Sequence, residues 1–294
     1  MVSDTELTTL EATNLEMVPE IWASDTRDAI EYKEIVAKLV NTSYESQMSI
    51  GAVFHIPLRA NLTTQSKSEG LGNTITFEAI DANEQQVTVS TFEYAAQLLG
   101  NVLAIQSNYD ERQRITHSIG YALVRGMEVT LTALFASFSQ IVGTLGADID
   151  DGILRRAWQY LADAAVDSDS SWVFGPAAVA SLFGNDKFTS KDFISGQSAI
   201  ETAKLPTLYS YPSYVSNLLN NPATGQTQCA LFHREAIILI RQLMPTIKQQ
   251  YLIRNDADGI LGVDLYTADE ANWVSETPGS LSTGDFGAVL IRSA

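Results

Sequence analysis

The chain has 294 residues, of which 45% are hydrophobic and 18% are charged, so a wholly disordered protein is excluded. Its 18 basic and 35 acidic residues give a net charge of −17, which excludes general attraction to nucleic acid or to an anionic membrane. The single cysteine, Cys229, excludes an internal disulfide, and no uninterrupted apolar run of about 18 residues predicts a membrane span.

The N-terminal part of the chain predicts an arm followed by a helix. Residues 1–20 are polar, acidic and weakly periodic, without the basic and apolar regions of a signal peptide, and we expect them to be extended. After Pro19, apolar residues at helical spacing predict an amphipathic helix over residues 25–40.

Residues 50–92 predict a β-arm. Apolar and polar residues alternate in segments 51–58, 74–80 and 85–92, which is typical of strands, and a polar loop separates the first two. The apolar faces are narrow, so we expect the arm to lie on another subunit. Arg59, Lys67 and Glu69 near its tip are expected either to be solvated or to pair with a neighbouring subunit, each pair contributing ~0.2–1 kcal/mol.

A short helix is predicted over residues 92–105, and the longest helical pattern follows in residues 109–142. Its apolar residues recur at steps of three and four: Ile115, Ile119, Leu123, Met127, Leu131, Leu134, Phe138 and Ile141. Asn108 is the expected N-cap, and Gly143 with Gly146 is expected to end the helix. Such a helix is roughly 50 Å long, far longer than the usual helix of a compact domain.

The C-terminal half predicts mixed helices and strands. Residues 153–166 have the pattern of an amphipathic helix, and residues 170–184 predict a strand, a turn at Gly175-Pro176 and a short helix. Segments 207–219, 251–274 and 284–294 predict further strands. The order of elements predicts an α+β fold whose first and last parts pack together.

Two groups of side chains have the residue types of a catalytic site, but a structural role explains each better. Asp148, Asp150 and Asp151, with Glu128, offer paired carboxylates for a hydrolase or a cation site, although a solvated loop that caps the next helix accounts for the same pattern. On a helix, Cys229 and His233 would share a face as a nucleophile and base, but their surroundings are apolar.

The remaining motifs are weaker. Asn255, Asp256, Asp258 and Gly259 resemble part of a calcium loop, but Tyr266 stands where the closing Glu belongs, so a turn is expected. His55, His117 and His233 have no metal-ligand spacing, and no nucleotide-binding or hydrolase motif is present. We therefore expect no enzyme activity, no cofactor and no metal.

The order of segments resembles the tailed-bacteriophage major capsid protein family, the Hong Kong 97-like fold, from about Met17 to Ala294. The stretch VPEIWASDTRDAIEYKEIVAKLVNTSYESQMSIGAVFHIPL is similar to the family's N-terminal arm, short helix and entry to the extended loop, with Trp22, Gly51 and Ile56-Pro57 at typical positions. WVFGPAAVASLFG and CALFHREAIILI resemble segments of the family's axial domain. In TLYSYPSYVSNLL, Ser210-Tyr211 replaces the Gly that family members usually have.

The resemblance implies four structural parts. Residues 1–42 would form the N-terminal arm and short helix, and residues 43–92 the extended β-hairpin called the E-loop. Residues 93–145 and 251–294 would form the peripheral P-domain with a spine helix over 109–142, and residues 146–250 the axial A-domain. Inter-subunit contacts are expected at six residues: Trp22, Arg59, Lys67, Glu69, Arg112 and Arg125.

The resemblance also implies a function. The chain would self-assemble into hexamers and pentamers of an icosahedral head, built in the host cytoplasm, which packages double-stranded DNA without reading its sequence. A separate scaffolding protein, a portal and optionally a decoration protein are the implied partners, and no membrane is involved. Some members cross-link covalently through a loop lysine, and Lys67 lies where such a lysine occurs. The alternatives are an encapsulin-like nanocompartment shell that encloses cargo enzymes and, more remotely, a carboxylate-dependent hydrolase.

Overall fold

The structure is a computed structural model that describes residues 34–47, 51–67, 69, 74–75, 77–79, 82–100, 111–166, 168–189, 205, 207–221, 226–274 and 283–293. All of them belong to Tyr32–Ala294, one of two compact units of the chain. The predicted arm of residues 1–20, Trp22 and residues 25–33 of the predicted helix lie outside the described residues. In the described part of that helix, residues 34–40, the chain forms only a 3₁₀ turn over Val36–Lys38.

The described residues form both helices and strands. The helices are α1 (Glu111–Ala133), α2 (Asp151–Asp163), α3 (Pro176–Phe183) and α4 (Asp186–Thr189). The first strands are β1 (Val53–Arg59), β2 (Ala82–Thr88), β3 (Thr91–Gly100), β4 (Ile141–Gly143), β5 (Ser170–Phe174), β6 (Ser213–Val215) and β7 (Asn220–Asn221). The others are β8 (Gln226–His233), β9 (Ile237–Leu252), β10 (Ala257–Glu270), β11 (Trp273–Val274), β12 (Thr283–Gly284) and β13 (Ala288–Ser293).

These strands form four sheets. β1 and β2 pair as an antiparallel hairpin, and β3, β10 and β9 form an antiparallel three-stranded sheet with β10 in the middle. A larger sheet has the order β4-β13-β8-β5-β6, with β7 paired to β8, and its β4–β13 and β5–β6 pairs are parallel. β11 and β12 form a small separate pair. The predicted α+β class is confirmed.

Helix α1 is shorter than the predicted 109–142. It runs for 23 residues, continues as one 3₁₀ turn over Leu134–Ser137, and then gives way to β4. The β-branched residues Ile141 and Val142 pair in parallel with Leu290 and Ile291 of β13, so strand pairing outweighs the helical apolar period here. Gly143 does not cap a helix but follows in the same strand with a φ of 83°, and its missing side chain lets the Arg292 carbonyl approach.

The short helix predicted over residues 92–105 is also wrong for the described part, because residues 91–100 form β3. Phe92 and Tyr94 point to one side of the strand, and Glu93 and Ala95 are less exposed on the other. The whole strand pairs with β10, from Thr91–Tyr266 to Gly100–Ala257. This cross-strand pairing overrides a sequence that also fits a helical period.

Helix α1 connects the two larger sheets. Ile115, Ile119 and Leu123 pack with Leu99 and Ile260 over the three-stranded sheet. Further along the helix, a second stripe reaches the six-stranded sheet and contains Met127, Leu131 and Phe135, packed with Phe232 and Leu290. By length and composition alone, Arg112–Ser137 is long and apolar enough to cross a membrane, but these stripes contribute to the protein's core.

Helices α2 and α3 cover the other side of the six-stranded sheet. Asp150 caps α2 by accepting a hydrogen bond from the Ile153 amide at 2.8 Å, which confirms the predicted capping loop. α2 buries Leu154, Ala157 and Leu161, which belong to the same apolar cluster as Trp172 of β5.

Strand pairing crosses the predicted domain borders. The border between residues 250 and 251 falls inside β9, which pairs with β10 along its whole length. β13, assigned to the P-domain, lies in the six-stranded sheet between β4 and β8.

Candidate functional site

The predicted contact residues lie in two regions. Arg59 is the last residue of β1, and Lys67 and Glu69 follow in the exposed part of the arm. Arg112 and Arg125 are exposed on α1, where the Arg112 guanidinium forms an ion pair with Asp258 at 2.7 Å. Arg112 therefore helps to hold α1 against the β9–β10 hairpin. Contacts of these residues with a neighbouring subunit stay a prediction.

The β-arm exposes apolar side chains along its outer part. Leu62, Ile75 and Phe77 are 60%, 67% and 90% exposed. The two sides of the arm are joined at Thr63, whose backbone N–H and hydroxyl donate to the Glu78 carboxylate at 2.9 and 2.6 Å and hold the pKa of Glu78 below its usual value. An arm that exposes apolar residues in this way has the character of a contact surface.

The base of the arm is anchored in the body of the protein. Val87 packs in an apolar cluster with Ile238, Ile240 and Ala271, and partly buried Phe54 joins it. The side-chain amide of Gln85 bridges two backbone groups at the end of β10, donating to the Glu270 carbonyl at 2.7 Å and accepting from the Asn272 amide at 2.8 Å. The arm is thus fixed where it leaves the body and exposed beyond it.

A second apolar surface lies on the three-stranded sheet, on the side away from α1. We define this open sheet face by Phe92, Tyr94 and Leu98 of β3 with Leu252 of β9. The three β3 residues are 58%, 69% and 51% exposed, and Leu98 and Leu252 line a shallow cavity of about 370 Å³. This surface was not predicted, because residues 92–105 were expected to form a helix. The alternation of Phe92 and Tyr94 with polar Glu93 is the sequence pattern that indicates the strand and its exposed side.

The sheet side under α1 is closed by tight packing instead. Gly262 of β10 lies directly under the helix, where an added Cβ would be 2.4 Å from Ile119 Cγ2 and 3.0 Å from Leu123 Cδ1. Only glycine allows α1 to approach the sheet this closely.

Glu128 has a role that the sequence did not indicate. It was expected to join the three aspartates as one of the paired carboxylates, but it is fully buried. Its carboxylate accepts hydrogen bonds from the amides of Ile35, Val36 and Ala37 at 2.9, 3.2 and 3.0 Å. An acidic residue between Met127 and Val129 was the only signal of this anchor.

A second, partly buried charge cluster surrounds Arg241 on β9. The Arg241 guanidinium approaches Glu34 at 3.8 Å and Glu45 at 3.5 Å. Burial raises the pKa of Glu45 and of Asp264, and the Arg241 charge opposes this in both cases. Together with Glu128, the cluster fixes residues 34–45 against the rest of the protein.

The three aspartates have separate roles. Asp150 caps α2, Asp148 is exposed, and Asp151 forms an ion pair with Lys187 at 2.7 Å. Within the described ranges, no group of three or more His, Cys, Asp or Glu side chains is arranged to hold a metal ion. The calcium-like segment forms the β9–β10 turn, where Asp256 accepts a hydrogen bond from Tyr251.

Cys229 and His233 do not form a dyad because they lie on strand β8, not on a helix. Four residues along a strand span roughly 13 Å. Cys229 is fully buried, and burial raises the pKa of its thiol to about 12. His233 instead packs edge-on against Trp273 at 5.3 Å and accepts a hydrogen bond from the Glu235 amide.

The fold is similar to that of solved phage structures. A structure of Mycobacterium phage Che8 has a TM-score of 0.78 and 19% identity, covering 93% of this chain and 96% of that chain. The capsid structure of the cyanophage P-SCSP1u has a TM-score of 0.75 and 15% identity, covering 95% and 94%. The head structure of Helicobacter pylori bacteriophage KHP40 has a TM-score of 0.73 and 10% identity, covering 96% of each chain.

No protein-family model and no curated protein matches the chain. In each of these three comparisons, the structural similarity covers more than nine tenths of this chain and of the phage chain. At these identities it shows the fold, and the predicted Hong Kong 97-like fold is confirmed.

Proposed function

We propose that this chain is the major capsid protein of a tailed phage, a structural subunit that self-assembles into an icosahedral head. The observation that carries the proposal is the likeness to capsid and head structures over almost the whole length of both chains. Because one fold can serve several functions, the surfaces of this chain supply the second support.

The exposed surfaces suit a subunit that is covered by its neighbours. The arm exposes Leu62, Ile75 and Phe77, and the open sheet face exposes Phe92 and Tyr94. Apolar patches of this kind on a soluble chain typically mark sites of protein–protein contact. Repetition of such contacts over a closed shell multiplies their effect, since each subunit is held by several neighbours at once.

The finer parts of the proposal follow from the resemblance. The subunits form hexamers and pentamers, assemble in the host cytoplasm with a separate scaffolding protein and a portal, and end in the virion, with a decoration protein as an optional addition. The role is structural and needs no cofactor. The net charge of −17 keeps the shell from holding packaged double-stranded DNA tightly. The contact residues Trp22, Arg59, Lys67, Glu69, Arg112 and Arg125 and the four-part domain division belong to this proposal.

Electron microscopy of the purified full chain, expressed with and without a co-expressed scaffolding protein, tests the function. We expect closed particles tens of nanometres across. A matched deletion of residues 63–70 in the arm is expected to leave circular dichroism unchanged and to weaken assembly in sedimentation. A chain that stays monomeric under every assembly condition would contradict the proposal.

A further inference from the structure

Strand β3 is an unprotected edge of the three-stranded sheet. All 10 of its residues pair with β10 without a register shift, and no described strand pairs with its other edge. A strand edge offers unpaired backbone N–H and C=O groups to other strands, and soluble proteins usually protect such edges with proline, lysine or a bulge. β3 has the sequence TFEYAAQLLG and contains none of these, and its one charged residue, Glu93, lies against α1.

The opposite edge of the same sheet has the usual protection. β9 contains Pro245 and Lys248, and its register with β10 shifts opposite this part of the strand. One edge of the sheet is therefore blocked against pairing, and the other is open. The open edge also borders the exposed apolar side chains of the open sheet face. A long apolar edge without protection leads to aggregation unless a specific partner occupies it.

We propose that β3 pairs with β3 of a second copy of this chain, as an antiparallel ladder across a two-fold axis. A strand is the partner that satisfies a row of backbone N–H and C=O groups. Among the described edge strands, β3 is the longest without proline, lysine or an irregular register. Pairing of β3 with itself closes after two copies, so it gives a defined contact and not an open-ended aggregate. The inference names one contact between subunits and in that sense rests on the proposed function.

The side chains of β3 favour one register of this ladder. A two-fold axis perpendicular to the sheet keeps every residue on its own face, so the axis passes through a residue. With the axis at Ala95, Glu93 lies opposite the second copy's Gln97, whose side-chain amide donates to the carboxylate, and Phe92 lies opposite Leu98. An axis at Glu93 would oppose two carboxylates, which is destabilising. An axis one residue to either side of Ala95 places Glu93 opposite an apolar side chain.

Helix α1 leaves room for the second copy. It packs over β10 at Gly262 and over β3 at Glu93, where an added Cβ on Gly126 would be 2.2 Å from the Glu93 Oε2 atom. The helix axis therefore runs above the boundary between these two strands. Because neighbouring strands lie about 4.8 Å apart, the two helices of a symmetric pair would be about 10 Å from each other. Packed helices usually lie about 8–10 Å apart, so the helices fit side by side.

Cysteine substitution at the axis tests the pairing. A95C is oxidised in the purified full chain and examined on a non-reducing gel, where the native Cys229 does not interfere because it is fully buried. Opposite residues of antiparallel strands have Cα atoms about 4.5–5.5 Å apart, which a disulfide spans. We expect a disulfide-linked dimer of A95C. The matched control is A96C, whose two copies would be about 8 Å apart and too distant for a disulfide. No dimer of A95C, or equal amounts from both variants, would overturn the inference.

A change of charge provides an independent measurement. Q97E places two carboxylates opposite each other at both ends of the ladder, and Gln97 is exposed, so we expect the circular dichroism of the subunit to be unchanged. The self-association constant of the subunit, measured by sedimentation equilibrium at low salt, should fall about fivefold. Q249E is the matched control, because it adds the same charge at the protected edge and should associate like the wild type. Equal association of Q97E and the wild type would contradict the inference.

The two proposals fail separately. Cross-linking of A95C needs no particles, so a chain that forms this dimer but no closed particles contradicts the proposed function alone. Closed particles in which A95C subunits do not cross-link contradict the inference alone.

Discussion

The carboxylate of Glu128 accepts a hydrogen bond from the backbone N–H of Ala37 at 3.0 Å, across 91 residues of sequence. Two preceding amides, of Ile35 and Val36, donate to the same side chain. Hydrogen bonds to a buried charged group are among the stronger ones in proteins. They fix the direction in which the chain meets α1 before it continues into the β-arm.

Replacing Glu128 with Gln should destabilise the subunit strongly. Gln keeps the size of the side chain, but it removes the charge and turns an N–H donor toward amides that need an acceptor. We expect a loss of about 2–4 kcal/mol in the free energy of unfolding, measured by urea denaturation. Ser118→Ala on the exposed side of α1 is the control, with an expected change below about 0.5 kcal/mol. Equal stability of E128Q and the wild type would show that the anchor is dispensable.

The base of the β-arm should loosen when Gln85 is replaced with Ala. The change leaves the Glu270 carbonyl and the Asn272 amide without their side-chain partner, which costs about 1–3 kcal/mol in a buried site. Hydrogen–deuterium exchange should be faster in β1 and β2. Gln86→Ala is a matched control, since Gln86 is exposed and its side-chain amide donates to exposed Glu84. Identical exchange in the two variants would contradict the anchoring role.

The free energy of unfolding should decrease as the pH rises from 5 to 8, because the pKa of Glu270 is raised. Burial, followed by the neighbouring Asp285 carboxylate, raises the pKa of Glu270 to about 7, while a hydrogen bond from Ser137 opposes this. A raised pKa means that the folded state holds the proton more tightly. The stabilisation is therefore complete below the ordinary pKa of 4.5 and is lost as the pH rises to about 7.

Asp285 behaves in the opposite way. Burial would raise its pKa, but hydrogen bonds from Ser139 lower it, so its stabilisation is lost only in acid, below the ordinary value of 3.8. Burial also raises the pKa of Glu45, Asp264 and Asp269, but the pKa of Glu270 is raised to about 7, so Glu270 supplies the largest part of the slope between pH 5 and 8. We expect its share to be a decrease of about 1–2 kcal/mol in urea denaturation. E270Q should reduce the slope by this amount, while the exposed-site control E235Q should retain it. A slope unchanged in E270Q would assign the effect to another group.

Polar substitution on the open sheet face should affect assembly more than folding. Phe92 and Tyr94 are mostly exposed, so F92S/Y94S is expected to change the melting temperature of the unassembled subunit by only a few degrees. Particle yield by sedimentation should fall severalfold, because the exposed apolar area is what a neighbour would cover. Ala96→Ser on the same face is the control. Full assembly of F92S/Y94S would show that this face is not a contact surface.

Local patterns of sequence predicted the elements whose packing is local. The alternation in residues 51–58 predicted β1, and the capping aspartate with an amphipathic stripe predicted α2. The long apolar stripe likewise predicted most of α1. In these segments the side-chain period matches the secondary structure, so the pattern and the fold agree.

Long-range pairing decided the segments that were predicted wrongly. β3 and β4 both carry apolar residues that fit a helical period, and each became a strand because β10 or β13 supplies a backbone partner far along the chain. The role of Glu128 as an anchor could not be predicted from the sequence for a similar reason. Its partners are backbone amides, which every residue except proline has, so no residue type marks them.

The position of β13 in the six-stranded sheet sets the timing of folding during synthesis. β13 separates β4 from β8 and pairs with both. Until residues 288–293 have left the ribosome, β4 has no partner among the described strands and β8 has an open edge. The larger sheet is therefore completed only after nearly all of this sequence has been made. A growing chain therefore carries an incomplete six-stranded sheet until β13 joins it, and a chain cut short before residue 288 cannot complete that sheet.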